Sequence, residues 1–284
     1  MLSIYEQENA LFERWIEHEK WIYQDEWTGI TEDIRLEDIF CQDGLHYTGK
    51  PEESHGESWR ILDCDNMQET LWNNAFLKPV FLCKDYNSVT EDGELTCMDI
   101  REETGYKNDN LYFKFYSKYM ILLYGLTNYD VAHNKFPAFE EAIIKENYWL
   151  GDNGFFHAPV VRMNLKKIAG GRKCPDWLLD KYIKQDKDLI TQQRDIYKGA
   201  NVFVCCHGGY NWNPIWDLLK EEGYGWFPDL KQYDKNDDSF WYSEKDRIAV
   251  ICTPHMSART SYWSFYKALP LFERFLSEFK GFID

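Results

Sequence analysis

The chain has 284 residues, of which 44% are hydrophobic and 17% aromatic, with 12 Trp. That composition supports a real core and excludes a disordered chain. A formal net charge of -16 excludes avid, non-specific binding of bulk nucleic acid, which depends on neutralising phosphates. The charge is uneven: residues 1–107 hold 25 acidic and 9 basic side chains, and residues 108–284 hold 23 of each.

In chain order, Ile4, Leu11, Trp15, Ile16, Trp21 and Ile22 recur at helical spacing. The N-terminal stretch MLSIYEQENALFERW carries Glu6, Glu8 and Glu13 inside this pattern, unlike a signal peptide. No window approaches the roughly 20 apolar residues of a membrane span. These features predict a soluble, cytoplasmic protein without a membrane partner. Residues 25–60 are polar and acidic, with Gly44, Gly49, Pro51 and Gly56. Residues 1–60 therefore read as an acidic, partly helical extension packed on a main domain of residues 61–284. A protein partner for this acidic part is one expectation.

Four short apolar runs of strand type follow: KPVFLC (78–83), APVVRMN (158–164), ANVFVCC (200–206) and RIAVICT (247–253). Continuous rather than alternating runs suit strands buried on both faces of a parallel sheet. Helical patterns lie between and after them, at 109–125, 175–198, 212–222 and 262–280, the last with Tyr262, Phe265, Tyr266, Leu269, Phe272, Leu276 and Phe279 on one face. The alternation predicts an α/β fold, a three-layer α/β/α sandwich with a mostly parallel four-stranded central sheet. Of the eight cysteines, Cys83, Cys205, Cys206 and Cys252 fall in these runs, and no C-x-x-C pair occurs. They read as buried free thiols, and neither metal nor cofactor is implied.

Each run ends in polar residues. The first gives Lys84-Asp85-Tyr86-Asn87. The second gives Asn164-Leu165-Lys166-Lys167 and then Gly170-Gly171-Arg172-Lys173. The third gives His207-Gly208-Gly209, and the fourth His255-Met256-Ser257. Ligands of open α/β sheets bind outside the carboxyl ends of the strands, so parallel pairing would gather these ends at one edge. Taken singly, Asp85 is an ordinary turn residue, His255 a structural histidine and Asn164 a strand-ending amide. Lys166, Lys167, Arg172 and Lys173, with Arg259, form the best phosphate-facing patch in the chain.

Together, a carboxylate after the first strand, an amide after the second and a His-x-Ser after the last resemble the uracil-DNA glycosylase superfamily. VFLCKDYN, VVRMNLKK and VICTPHMSAR stand where that family has its three site motifs, NVFVCCHGGYNW resembles its penultimate strand, and the resemblance spans roughly residues 75–284. It implies that Asp85 positions or activates water, Asn164 reads the edge of a flipped base and His255 supports charge on the departing base. Tyr86, Asn87 and Ser257 would then line the substrate site, and Lys166, Lys167, Arg172 and Arg259 would face phosphates. The substrate would be uracil or another damaged base in nucleic acid, preferably single-stranded, since flipping from a duplex costs about a few kcal/mol. An aromatic platform is required, with Tyr86, Tyr106 and Phe113 as candidates. The chain departs from the family in several places. Cys83-Lys84 replaces Gly-Gln, no Pro follows Asp85, Met256 replaces the Pro of His-Pro-Ser with Pro254 ahead of the His, and Ala258-Arg259-Thr260 replaces the family's Leu-bearing wedge loop. A non-catalytic member binding a nucleobase, a nucleotide or a protein is the alternative. A hydrolase using His255 and Asp85 is disfavoured, because Ser88 and Ser257 lie outside any G-x-S-x-G pattern.

Overall fold

The computed structural model describes residues 2–18, 35–45, 49–51, 61–63, 67–84, 99–102, 110–143, 159–170, 174–207, 213–256 and 258–283. It is a mixed α/β structure. The strands are β1 (Gly44–Leu45), β2 (Gly49–Pro51), β3 (Ile61–Asp63), β4 (Pro79–Cys83), β5 (Val161–Asn164), β6 (Val202–Cys205), β7 (Lys231–Asp234), β8 (Asp237–Ser243) and β9 (Ile248–Cys252). The helices used below are α1 (Ile4–His18), α2 (Met67–Asn74), α3 (Asn110–Thr127), α4 (Asp176–Ile196), α5 (Pro214–Lys220), α6 (Trp263–Tyr266) and α7 (Ala268–Glu278).

All four apolar runs become strands of one sheet, in the order β1-β5-β4-β6-β9-β8-β7. The central four, β5, β4, β6 and β9, pair in parallel. The sheet has seven strands rather than four. β1 adds antiparallel to β5 at one edge, and the β7–β8 hairpin adds antiparallel to β9 at the other. The hairpin sequence KQYDKNDDSFWYS is polar and lacks a long apolar run, which is why periodicity alone passes over it.

Side chains alternate across the sheet. Val80, Leu82, Val161, Met163, Phe203, Cys205, Val250 and Cys252 join one buried cluster with Leu11, Phe12 and Trp15 of α1, Leu178, Tyr182 and Ile183 of α4, and Ile215 and Leu218 of α5. Phe81, Cys83, Val202, Val204, Ala249 and Ile251 join a second cluster with Ile121, Leu122 and Leu126 of α3, Phe265 of α6 and Phe272 and Phe275 of α7. Apolar residues at consecutive positions of β4, β6 and β9 thus serve opposite faces. The final helical pattern is split at Lys267. Pro270 explains the break: it sits in the first turn of α7, where a missing N–H is tolerated, and its ring would clash with the carbonyl four residues back in a continuous helix.

The N-terminal segment is tied to this core by charge as well as apolar contact. Ser3 and Glu6 open α1 as a reciprocal cap: Glu6 N–H donates to Ser3 Oγ at 3.2 Å and Ser3 N–H to Glu6 Oε2 at 2.7 Å. Two residues on, Glu8 is fully buried and accepts from Arg101 Nη1 at 2.9 Å, from Tyr197 Oη at 2.8 Å and from Leu45 N–H at 2.9 Å. Arg101 also donates to Asn9, Gln42 and Asp99. Gln193 Nε2 links Tyr197 Oη at 3.2 Å to Asp43 Oδ1 at 2.8 Å, and Lys167 Nζ donates to that same oxygen at 2.5 Å. The network fixes one glycine. Gly44 has φ +147, and a Cβ there would stand 2.1 Å from Glu8 Oε1. Burial raises the Glu8 pKa although Arg101 pulls it down, and burial lowers that of Lys167 against the attraction of Asp43.

Asp43→Leu should strand the buried Lys167 ammonium and cost about 3–5 kcal/mol. Adding Lys167→Met should recover the part of that loss due to the stranded charge, while the Asn164 N–H and Gln193 Nε2 donors that Asp43 also served stay unpaired. Urea midpoints of the two variants check this, with a double variant no more stable than the single one as the contrary result.

Candidate functional site

Four parallel strands bring four chain ends to one edge. The chain passes from β4 to β5 on one side and then to β6 on the other, so the winding reverses between β4 and β6. Ligands of open α/β sheets bind at such a reversal, outside the carboxyl ends of the strands. The residues that end these strands are Cys83-Lys84 for β4, Asn164 for β5, Cys206-His207 for β6 and Thr253-Pro254-His255 for β9.

Asn164 has the least ordinary environment. Its side chain is fully buried, and neither Oδ1 nor Nδ2 has a hydrogen-bond partner. An unpaired buried polar group costs about 1–3 kcal/mol. Its backbone, by contrast, is held firmly: Asn164 N–H donates to Asp43 Oδ2 at 2.6 Å, so the buried ion network reaches the strand end. In register, Asn164 pairs with Cys83 of β4. Arg162 and Asn164 alternate with Val161 and Met163 and therefore face the side of the second cluster.

Cys83 and Cys206 meet on that same side. A hydrogen bond from Cys206 and the nearby Arg162 guanidinium hold the Cys83 thiol below its ordinary pKa against the opposing effect of burial. Burial, reinforced by Cys83, pushes the Cys206 thiol well up.

On the opposite side of the edge, the two strands of the reversal point their next residues at one carboxylate. Lys84 Nζ and His207 Nε2 lie 2.7 and 2.9 Å from Asp176 Oδ1, at the first residue of α4. Burial and the Lys84 charge lower the His207 pKa, with Asp176 opposing them. Burial raises the Asp176 pKa, but Lys84 and His207 outweigh it and keep the carboxyl below its ordinary range.

Of the residues expected from sequence, Asp85, Tyr86, Asn87, Arg172 and Ser257 lie outside the described residues, as do Lys173 and Tyr106. Phe113 lies within α3. His255 is half-buried after β9, and its carbonyl accepts from Ala258 N–H at 2.7 Å. Lys118 of α3 donates to the Ala258 carbonyl and so anchors this turn. Asn164 and His255 share the carboxyl edge but belong to strands three steps apart, about 14 Å at the usual strand spacing. Arg259 is exposed.

Lys166 and Lys167 do not form the expected phosphate-facing patch. Both are buried. The segment after β5 runs inward, bridging Ile168 to Phe40 and giving the Lys167 carbonyl to Cys41 N–H at 2.7 Å. Lys166 Nζ donates to the Ile168 carbonyl at 2.6 Å and lies over the Tyr182 ring, while Lys167 is held by Asp43. Both ammonium groups are consumed inside the protein.

Sequence reasoning passed over Asp176. Its only signal is an acid just after Pro175, which reads as a helix start. Lys84 and His207 are visible as strand-end residues, but nothing in one dimension points them at Asp176. Among the described residues, no group of three or more His, Cys, Asp or Glu side chains could hold a metal ion, and no helix is long and apolar enough to cross a membrane. No protein-family model, curated protein or solved structure matches the chain.

The signs around Asp176 give a pH prediction. A His whose pKa is lowered on folding binds fewer protons folded than unfolded. Its contribution is therefore complete above about 6.5 and is lost as pH falls through the folded value. His207 should titrate below about 6.5 by NMR. Asp176→Asn should move it lower still, since the carboxylate is the group that favours the imidazolium while the Lys84 charge stays. A midpoint that rises in the variant would contradict this assignment of forces.

Proposed function

We propose that the chain is a uracil-DNA glycosylase-like protein, a three-layer α/β/α sandwich that takes a pyrimidine-like base at the carboxyl edge of its sheet. The observation that carries the reading is the Asn164 amide, buried with both polar atoms unpaired at the end of a central parallel strand. An amide offers one acceptor and two donors, which matches the alternating edge of a pyrimidine. The base would supply the partners that the protein leaves out, and the fold tolerates the unpaired amide because its backbone is clamped by Asp43.

In the catalytic form of this reading, water attacks the sugar carbon as the bond to the base breaks. The sugar passes through a state with positive charge and the base departs with the electron pair. Asp85 would hold the water and offset the positive charge, and His255 would donate toward the base oxygen. Preorganised groups of this kind act on charge as it develops.

A second reading, non-catalytic binding of a free base or nucleoside, is favoured by one observation. Two of the five basic residues expected around the site, Lys166 and Lys167, are buried and internally satisfied. With a net charge of -16, the chain then has little to hold a polymer of phosphates.

Wild-type protein should excise a base from single-stranded oligonucleotides carrying uracil, hypoxanthine or an alkylated base, read as strand cleavage after alkali. Asn164→Leu should lose both excision and uracil binding. The same change should stabilise the fold by about 1–3 kcal/mol in urea, because it removes an unpaired buried amide without changing shape much. Retained excision in Asn164→Leu would overturn the role of Asn164. Binding of uracil without excision by the wild type would establish the second reading instead.

A further inference from the structure

Adjacent residues of a strand face opposite sides of a sheet, so Cys205-Cys206 sends one thiol each way. Each meets another cysteine. On the side of α4 and α5, Cys205 lies in register with Cys252 of β9, and both belong to the first buried cluster. On the side of α3 and α7, the parallel register that pairs Leu82 with Cys205 carries on to Cys83 and Cys206, which share the second cluster. Cys206 N–H donates to the Leu82 carbonyl at 3.0 Å and fixes that register past the end of β6. All four are free thiols. Neighbouring strands run about 4.8 Å apart, within the roughly 4.4–6.8 Å between the α-carbons of disulfide-bonded residues.

Their surroundings separate the two pairs. A hydrogen bond from Cys206 and the Arg162 guanidinium favour the Cys83 thiolate, against burial and the Asp43 charge, and the thiol sits below its ordinary pKa. Arg162 stands opposite Phe81 in the register of β4 and β5, on the same side as Cys83. The single S–H of Cys206 has two acceptors in reach, the Val204 carbonyl at 3.6 Å and the Cys83 sulfur. An ionised Cys83 is the stronger of the two, because charge on an acceptor strengthens a hydrogen bond. Cys252 is the contrary case: its hydrogen bond with Cys205, together with burial, pushes its thiol well up, and the Lys267 charge does not reverse this. The thiolate, not the thiol, attacks an electrophile, so the two pairs differ in reactivity though not in spacing.

Position and burial select the reagent. Cys83 ends β4 and Cys206 follows β6, so the two sulfurs flank the winding reversal, where open sheets admit ligands. Cys83 is 5% exposed and Cys206 1%, which restricts the reagent to a small one. It must also be uncharged, since bringing an unpaired charge into such a place is costly. Hydrogen peroxide meets both conditions.

We propose that Cys83 and Cys206 are a peroxide-oxidisable dithiol, in which Cys83 attacks the peroxide and Cys206 resolves the product to a disulfide across the reversal. In the first step the Cys83 sulfur bonds to one peroxide oxygen and the O–O bond breaks. The departing hydroxide takes up the proton that Cys83 gave up on ionising and leaves as water. Cys83 is then a sulfenic acid. In the second step the Cys206 sulfur bonds to the Cys83 sulfur, the S–O bond breaks, and the hydroxyl leaves as water with the Cys206 proton. The two cysteines lose two electrons in all, and one hydrogen peroxide becomes two waters. The assignment stands apart from the reading of Asn164.

The test treats the reduced full chain with equimolar hydrogen peroxide at neutral pH, blocks the remaining thiols with N-ethylmaleimide and maps the unreduced digest by mass spectrometry. The peptide carrying Cys83 should be joined to the one carrying Cys206, and dithiothreitol should release it. Cys205→Ala should keep the link, which separates Cys206 from its neighbour in the same peptide. With dimedone present, Cys206→Ala should carry the adduct on Cys83, and Cys83→Ala should carry none on Cys206. Circular dichroism confirms that each variant folds. Wild-type protein that forms no Cys83–Cys206 link at an exposure that oxidises the half-buried Cys174 overturns the proposal without recourse to any variant. A Cys205–Cys252 link formed as readily also overturns it, because the surroundings of Cys83 would then select nothing. A dimedone adduct on Cys206 in place of Cys83 overturns the order of attack.

Discussion

The pairing of Asp43 with Lys167, and its extension through Gln193 and Tyr197 to Glu8 and Arg101, is the constraint on which the rest of this molecule depends. A buried ion pair adds little net stability over apolar packing, but breaking one is expensive. Here the partners come from distant parts of the chain: Glu8 from α1, Asp43 from the lead into β1, Arg101 from a short turn, Lys167 from beyond β5, and Gln193 and Tyr197 from α4 and its end. The network therefore specifies how α1 and β1 seat on the sheet, with apolar burial of Leu11, Phe12 and Trp15 supplying the driving force.

The same network is tied to the candidate site at one atom. Asp43 gives one carboxylate oxygen to Lys167 and Gln193 and the other to the backbone N–H of Asn164. The side chain of Asn164 is left unpaired, while its backbone N–H is held by Asp43 Oδ2 at 2.6 Å. An unpaired amide can persist only where the surrounding structure over-determines its position, and such local costs collect at functional sites. The acidic residues of the N-terminal part acquire a structural role by this route: Glu8 and Asp43 count toward the net charge of the sequence but are enclosed in the interior.

Around the winding reversal, alternation along parallel strands divides the chemistry into two sides. Cys83, Cys206, Arg162 and Asn164 face the cluster built with α3 and α7, and Lys84 and His207 face α4. The first side is buried and carries an amide, two thiols and the Arg162 guanidinium, with the Cys83 thiol held low by Cys206 and Arg162. The second is partly wet and carries a carboxylate, an ammonium and a neutral imidazole.

By itself the sequence determined the four central strands, the main helices and the mixed α/β class. Continuous apolar runs at 78–83, 158–164, 200–206 and 247–253 can be buried only on two faces, so parallel strands with helices between them were legible from hydrophobic pattern alone. It also marked the strand ends as the place for chemistry, and it singled out Asn164. Only the tertiary structure decided the rest. The β7–β8 hairpin is stabilised by pairing with β9 and packing on α7, neither of which leaves a trace in local periodicity. Lys166 and Lys167 look like a solvated basic patch in one dimension. They are interior because the chain after β5 bridges back to residues 39–41, and the anion that receives Lys167 lies 124 residues away. Asp176 reads as a helix start until Lys84 and His207, 92 and 31 residues distant, arrive on its carboxylate. In each case the deciding partner is remote in sequence, and charge pairing, unlike hydrophobic periodicity, has no repeat that a linear reading can detect.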